Sequence, residues 1–267
     1  MADVADTEPN EPIPTVKDLA SSEPSIRRNS LQTIIHHLKD RSPTSPLTKT
    51  QCLQIWRGFY VAVYMHDSKS AISVQNLITE VAGLLKVIAS KDAEIASSGA
   101  QTRPWLPTWT SAFWETICRE WASIDQWRMN KVLLLVRFFL RETFQAALTA
   151  VSDDVSKDRS DSANLVTEQV RILESSPLSP RDRKVPDGLR LHVLDVWSDE
   201  LSGQVKLVQS RLEESEDGAS KHSEEALLDS ASIFMTAVER LRKEALSKGV
   251  RMRAKEALDT YQESLNP

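Results

Sequence analysis

The chain has 267 residues, of which 40% are hydrophobic and 27% are charged, so it can bury the core of an ordinary globular protein. A formal net charge of −5 argues against a protein that coats nucleic acid without sequence preference, although local basic patches are compatible with it. The N-terminus lacks a signal-peptide pattern and no apolar run is expected to span a membrane, which predicts the cytosol or the nucleus.

The distribution of helix breakers predicts the fold class. Proline is absent between Pro107 and Pro177 and again between Pro186 and Pro267, and the chain has only seven glycines. No stretch shows the period-two alternation and Gly/Asn turns of β-strands. We therefore predict an all-α protein, an antiparallel helical array that forms a HEAT-like α-solenoid or an irregular helical repeat.

The first part of the chain predicts a tail followed by helices. Residues 1–22 are acidic and contain several prolines, and we expect a disordered tail because such a segment buries too little apolar surface. Helices are predicted over residues 24–39, 49–65 and 72–89, since each segment places its apolar residues on one face. A polar loop near residues 97–103 is expected to follow.

The stretch FWETICREWASIDQWRMNKVLLLVRFFLRETF, residues 113–144, is predicted to be the centre of the fold. Its pattern indicates two helices with a short corner near residues 123–125. The second helix is apolar almost all the way round from Val132 to Leu140 and is interrupted only by Arg137. Because a soluble helix of this kind must be covered on most sides, we interpret it as the central buried element.

Tryptophan is concentrated around this stretch. Five of the seven tryptophans lie close together in the sequence, at Trp105, Trp109, Trp114, Trp121 and Trp127. The simplest interpretation is that their rings fill wide gaps between helices. Trp105 and Trp109 precede the long helices and lie near prolines, so they are the better candidates for a partly exposed surface.

The composition changes abruptly after residue 151, where SDDVSKDRSDS follows. We predict a hinge or loop at residues 152–160 between an N-terminal helical block, 23–151, and a C-terminal block, 161–267, that continues the first. Helices in the second block are predicted over residues 162–174, over 187–201, before the acidic EESEDG break, and from 223 to the end.

Motifs of catalysis are not found in the sequence. There is no Gly-rich phosphate loop, Walker lysine motif or CxxC pair, and the five histidines lack the spacing of metal ligands. Cys52 and Cys118 lie in apolar helical patterns and are predicted to be buried free thiols. We therefore predict a protein that is not an enzyme and has no cofactor, metal or small-molecule substrate. A helical enzyme whose site is assembled from distant residues stays a rival hypothesis.

Charged residues in the central stretch offer two interpretations. Asp125 can cap the second helix or pair with Arg128 three residues later. Arg137 interrupts an apolar run, so its guanidinium must reach a carboxylate, a carbonyl or solvent. The charges form either an internal salt-bridge network or a stripe that docks a partner. The partner-binding candidates are Trp105, Trp109, Asp125, Arg128, Lys131, Arg137 and Arg141.

A basic segment, RLRKEALSKGVRMRAK, occupies residues 240–255 and contains only one acid, Glu244. Such a cluster is a candidate for contact with RNA or with an acidic partner, and it is also compatible with a solvated helix face or a nuclear import signal. No aromatic residues are interleaved with the charges, which weakens the case for RNA. The candidate residues are Arg240, Arg242, Lys243, Lys248, Arg251, Arg253 and Lys255.

Three separated motifs resemble a known family. They are IWRGFYVAVYMHD (55–67), the central stretch with its E-W-x-x-I-D-x-x-R-x-x-K pattern, and VPDGLRLHVLDVWSDEL (185–201). In this order they resemble the ribosomal RNA processing protein one family, nucleolar proteins of the Nop-fifty-two type, over residues 24–201. Two positions depart from the family pattern. The family often has an acidic residue at the position of Asn130 and commonly has a tryptophan at the position of Tyr64.

The resemblance implies a function in ribosome assembly. It predicts a non-catalytic helical scaffold in nucleolar pre-60S particles, needed for precursor RNA processing of the large subunit through protein–protein docking. The implied partners are other assembly factors, including Brix-domain and WD-repeat proteins, with pre-ribosomal RNA nearby and no membrane. The implied location is the nucleus and nucleolus. The alternative is a cytoplasmic α-solenoid adaptor unrelated to ribosomes.

Overall fold

The computed structural model describes residues 13–67, 69–153, 160–214 and 221–265, and within these ranges every regular element is a helix. The predicted all-α class is therefore confirmed. Two 3-10 helices, Val16–Ala20 and Trp121–Ser123, accompany the α-helices. The α-helices are α1 (Pro24–Asp40), α2 (Lys49–Met65), α3 (Ala71–Ala82), α4 (Leu84–Ser98), α5 (Leu106–Glu120), α6 (Met129–Asp153), α7 (Ser160–Ser175), α8 (Asp187–Glu214), α9 (Lys221–Glu244) and α10 (Lys248–Leu265).

Helix α6 is the centre of the molecule, as its apolar sequence predicted. It packs against α2, α3 and α4 on one side and against α7, α8 and α9 on the other. Val132, Leu135, Val136, Phe139 and Leu140 of this helix have no solvent exposure. Because the surrounding helices cover it on most sides, a helix that is apolar almost all round is stable in a soluble protein.

Aromatic side chains extend the core along both halves of α6. Phe139 stacks on Phe113 of α5 with ring centroids 3.7 Å apart. Further along, Phe144 makes edge contacts with Trp197 of α8 and Phe234 of α9, at centroid distances of 5.0 and 4.9 Å. Aromatic pairs of this kind contribute about 0.5–1.5 kcal/mol each beyond the burial of their surface.

The predicted disordered tail is wrong for residues 13–22, whereas residues 1–12 lie outside the described part of the chain. The 3-10 helix Val16–Ala20 packs on α1 and α2, and Leu19 is fully buried. A Cβ on Gly58 of α2 would lie 2.6 Å from Leu19 Cδ1, so a larger residue there would require the Leu19 side chain to shift. The prediction rested on the acidic, proline-containing composition and did not consider that burial of the single residue Leu19 could hold the segment against the helices.

The single helix predicted over residues 72–89 is also wrong, because the chain forms α3 and α4 with a break at Gly83. The Gly83 N–H donates to Thr79 O at 2.9 Å, and a Cβ at this position would itself lie 2.9 Å from that oxygen. A glycine therefore permits the tight junction. Helix α4 then continues beyond residue 89 because Lys91 and Ile95 bury one face while its polar residues remain outside.

Residues Ala71–Ser98 together are long and apolar enough to cross a membrane by length and composition alone, contrary to the expectation from sequence. In the fold this stretch is divided between α3 and α4. Ile78, Val81, Leu85 and Ile88 have no solvent exposure, and the two helices pack against α1, α5 and α6. These four residues therefore belong to the protein core.

The C-terminal helices are longer than the sequence indicated. Helix α8 runs without interruption from Asp187 to Glu214, so the helix predicted over 187–201 and the one expected after it are a single element. At the predicted hinge, Ser152 and Asp153 still belong to α6 and Ser160 begins α7, while residues 154–159 lie outside the described part. The division into two helical blocks stays a prediction.

Candidate partner-binding site

One carboxylate fixes the corner between α5 and α6. Asp125 Oδ1 accepts hydrogen bonds from the backbone N–H groups of Trp127 and Arg128, both at 3.0 Å. Its Oδ2 accepts the Tyr64 hydroxyl at 2.9 Å and pairs with the Arg128 guanidinium. Both contacts expected of Asp125, at the helix start and with Arg128, are present. Tyr64 belongs to α2, so the corner is also tied to a neighbouring helix.

Lys131 holds the same corner from the other side. Its Nζ donates to Tyr64 O at 2.7 Å and to His66 O at 2.8 Å, at the C-terminal end of α2. Helix ends leave carbonyls without intrahelical partners, and a cation there is favourable. The side chain is 6% exposed, and desolvation lowers the pKa of Lys131. Its charge is therefore engaged inside the molecule.

Asp125 and Arg128 neutralise each other at the corner. Desolvation opposes the charged form of Asp125, but hydrogen bonds from Tyr64 and Arg128 outweigh it and lower the pKa of this carboxyl. The hydrogen bond to Asp125 raises the pKa of Arg128, whose guanidinium lies 4.7 Å from the centroid of the Tyr64 ring. The corner is a rigid unit with little free charge.

Trp127 lies in this rigid corner with 81% of its surface exposed, the highest value for any large hydrophobic residue in the described ranges. Its backbone N–H is bound by Asp125, so the residue is held in a defined turn. Sequence reasoning grouped it with the core tryptophans and did not select it. The available signal was its position in the corner, outside the apolar periodicity of both helices.

Trp105 and Trp109 were predicted to be partly exposed, and this prediction is wrong. They are 2% and 0% exposed. Helix α5 begins at Leu106 and not near residue 113, which turns both indoles into the core. Trp105 Nε1 donates to Pro43 O at 2.7 Å, and the Trp109 ring lies 4.8 Å from that of Trp56.

Arg137 and Arg141 converge on a single carboxylate. Arg141 donates through Nε and Nη2 to the two oxygens of Glu200, at 2.6 and 3.1 Å, and Arg137 pairs with the same group. Glu200 belongs to α8 and is 3% exposed. Burial favours its neutral form, but the hydrogen bonds from Arg141 and Arg137 prevail and lower the pKa of Glu200. Of the two interpretations, the internal network that joins helices is present; docking through these arginines stays a prediction.

The basic segment 240–255 is only partly neutralised by acids from elsewhere in the fold. Arg240 pairs with Glu174 at 2.9 Å and Arg253 with Asp195, and these acids come from α7 and α8. The remaining engaged cations are Lys243, which pairs with Glu239, and Arg251, which donates to Ala245 O. Three members are exposed with no acidic partner in the described part of the chain: Arg242, Lys248 and Lys255.

The structure places both cysteines where burial disfavours the thiolate form. No group of three or more His, Cys, Asp or Glu side chains in the described ranges could hold a metal ion. Both cysteines are free, as predicted; Cys52 is buried, and burial raises its pKa to about 12. Cys118 is half-buried with Sγ 3.2 Å from Ser176 Oγ, and burial raises its pKa as well. Thiols in such surroundings are poor nucleophiles.

Comparison with known proteins identifies relatives. The sequence model of a family described as nucleolar protein Nop52 matches residues 10–266. The mouse ribosomal RNA processing protein 1 homolog B is 27% identical over 186 residues, which cover 69% of this chain and 22% of that protein. The human homolog B is likewise 27% identical, covering 69% and 21%, and the Drosophila melanogaster homolog is 26% identical, covering 70% and 24%. The chain thus spans about a quarter or less of these relatives.

Proposed function

Because the chain belongs to the Nop52 family of nucleolar proteins, we propose that it is a non-catalytic helical scaffold for assembly of the large ribosomal subunit. The family match confirms the resemblance that the three sequence motifs indicated. Relatives named for ribosomal RNA processing support a role in ribosome biogenesis. In this proposal the protein acts in the nucleolus and docks other assembly factors, with Brix-domain and WD-repeat proteins as expected partners, close to precursor RNA.

The exposed indole of Trp127 is the observation that carries the docking function. Tryptophan is enriched among the few interface residues that dominate binding energy. Its backbone is already fixed by Asp125, and the side chain has only two rotatable bonds, so little conformational freedom is lost on binding. An exposed tryptophan on a fixed backbone is therefore suited to insert into a partner.

The charge balance of the corner favours a protein over RNA as this partner. Asp125 pairs with Arg128, and at the end of α5 Arg119 pairs with Glu120 at 3.1 Å. Binding to a phosphate backbone depends on unneutralised cations, which this corner does not supply. The expected counterpart is an apolar pocket with an acceptor for the indole N–H.

Several of the displaced pKa values in the described ranges belong to side chains that make structural hydrogen bonds, which supports a scaffold. Burial raises the pKa of Asp92, yet its carboxylate accepts the N–H groups of Trp105 and Leu106, at 2.6 and 2.9 Å, where α5 begins. Glu200 and Lys131 likewise join neighbouring helices. Perturbed groups of this kind are expected in structural networks as well as in active sites.

The proposal is tested by affinity purification of the tagged protein from cells, with mass spectrometry and RNA sequencing of the co-purified material. Wild type, Trp127→Ala and a control variant, Ile72→Ala, are compared, because Ile72 is 72% exposed but lies outside the corner. We expect wild type and the control to recover large-subunit precursors with assembly factors, and Trp127→Ala to lose most of them.

Two results would change the account. A wild-type preparation without ribosomal precursors would contradict the scaffold and favour the cytoplasmic adaptor. Full recovery by Trp127→Ala would leave the scaffold in place but remove the corner as its docking site.

A further inference from the structure

A cleft of about 320 Å³ lies where the loop between α7 and α8 meets the turn between α9 and α10. The residues from Pro180 to Asp187, except Lys184, form one wall, and Ala245, Leu246 and Ser247 form the other. The Leu246 N–H donates to Pro180 O at 3.3 Å and joins the two segments. The proposed function does not use this cleft.

Two arginines fix the walls of the cleft. Arg190, only 5% exposed, donates to Ser179 O at 2.9 and 2.6 Å and to Val185 O at 2.6 Å, and it also binds Asp182 O and Asp187. Arg251 donates to Ala245 O at 2.6 Å and to Leu246 O at 3.0 Å. These guanidinium groups are used to hold backbone carbonyls, so the surface is organised before a ligand arrives.

Three cations at or next to the cleft have no acidic side-chain partner in the described part of the chain. Arg183 lines the cleft, while Lys184 and Lys248 directly follow lining residues in the sequence, and all three are exposed. The local acids are already engaged: Asp187 pairs with Arg190 at 2.8 Å, Glu244 lies 4.0 Å from Arg181 and 3.7 Å from Arg240, and Asp182 accepts the Lys184 N–H at 2.8 Å. The three cations therefore attract anionic groups.

Apolar side chains line the same cleft. Leu246 is one of them and is 60% exposed, and Pro180 and Pro186 are two more. A ligand that matches this surface combines carboxylates with an apolar residue, because contact with leucine and proline contributes affinity only to apolar groups.

We propose that this cleft binds an acidic peptide segment of a partner protein, with carboxylates on Arg183, Lys184 and Lys248 and an apolar side chain against Leu246. RNA fits less well, because the described residues that line the cleft include no aromatic ring on which a base could stack.

Binding of fluorescein-labelled probes to the purified full chain tests the proposal at an ionic strength of about 0.15 M. The probes are a twelve-residue peptide of aspartate and glutamate around a central leucine, the same peptide with asparagine and glutamine, and a single-stranded oligouridine. The test variant is Arg183→Glu/Lys248→Glu. The matched control is Lys206→Glu/Arg211→Glu, which changes the net charge equally at exposed positions of α8.

We expect the acidic peptide to bind wild type and the control alike and to bind the test variant at least about tenfold more weakly. The amide peptide should not bind, and Leu246→Ser should weaken binding of the acidic peptide while the fold remains intact by circular dichroism. Three results would overturn the proposal: no binding of the acidic peptide to wild type, equal loss in both charge variants, or tighter binding of oligouridine that the test variant abolishes. These assays involve no ribosomal particle, so their failure is distinct from failure of the scaffold.

Discussion

The two ends of α5 place tryptophan in opposite environments. At the N-terminal end, Trp105 and Trp109 are buried, and Asp92 of α4 binds the backbone where the helix begins. At the C-terminal corner, Asp125 binds the backbone in a similar way, but Trp127 remains outside. Both ends are rigid, and only one presents its indole to solvent.

The difference shows that a tryptophan near a helix break must be judged by the periodicity of the helix. Trp109, Phe113 and Ile117 are spaced four residues apart and share one buried face of α5. Trp127 belongs to no such series, because the chain between Ser123 and Met129 is not α-helical. Continuity with an apolar face indicates burial more reliably than nearby prolines indicate exposure.

The comparison predicts that truncating a tryptophan side chain at the buried, N-terminal end of α5 has the largest effect on stability. We expect Trp109→Ala to lower the free energy of unfolding by about 3–5 kcal/mol, because it removes a fully buried ring and leaves a cavity. Denaturant unfolding followed by circular dichroism measures this. A loss below about 1 kcal/mol would show that Trp109 is not part of a tightly packed core.

A second pair of variants compares a buried ion pair with an exposed one. We expect Glu200→Ala to cost about 2 kcal/mol, below the usual range for a broken buried pair because Arg137 and Arg141 both reach solvent. The matched variant is Asp195→Ala, whose carboxylate pairs with Arg253 at an exposed site. Equal losses in the two variants would contradict an internal role for Glu200.

The same carboxylate predicts a dependence on pH. The pKa of Glu200 is lowered in the fold from an ordinary value of 4.5, so its stabilising contribution is present above that value and is lost as pH falls through the folded-state pKa. We expect the stability difference between wild type and Glu200→Gln to shrink on acidification. A difference that grows as the pH falls below about 4.5 would contradict the sign of this shift.

Loss of the hydrogen bonds that Lys131 makes at the corner between α5 and α6 is expected to lower stability by a smaller amount. Lys131→Met retains apolar bulk but removes the hydrogen bonds to Tyr64 O and His66 O, which we expect to cost about 1–2 kcal/mol. Hydrogen exchange near the end of α2 should accelerate. The control is Lys69→Met at an exposed position. If both variants are equally stable, Lys131 does not brace the corner.

The smallest effect on stability is expected at Trp127, the residue proposed to dock a partner. Trp127→Ala should change the free energy of unfolding by less than about 0.5 kcal/mol, because the side chain is mostly in solvent. Acrylamide quenching of tryptophan fluorescence checks the exposure directly. Wild type should show a readily quenched component that Trp127→Phe removes, and a component that persists in this variant would place the exposed indole elsewhere.

Sequence patterns within one segment predicted helices and pairs of neighbouring residues. They could not predict contacts between residues that are far apart in the sequence. The bounds of α2 and the pairing of Asp125 with Arg128 followed from helical periodicity and a spacing of three residues. The partner of Arg141 is 59 residues away in the sequence, so no spacing rule could identify Glu200. For the same reason the acids that pair with Arg240 and Arg253 were not predicted.

The measurement that tests the central claim most directly is photo-crosslinking in cells, with p-benzoylphenylalanine in place of Trp127 in the tagged chain. The same substitution at Ile72 is the control, and crosslinked proteins are identified by mass spectrometry. We expect position 127 to crosslink to one protein of the large-subunit precursor particle, and position 72 not to crosslink to that protein. Crosslinks from position 127 only to proteins outside ribosomal precursors would contradict the scaffold and its docking corner.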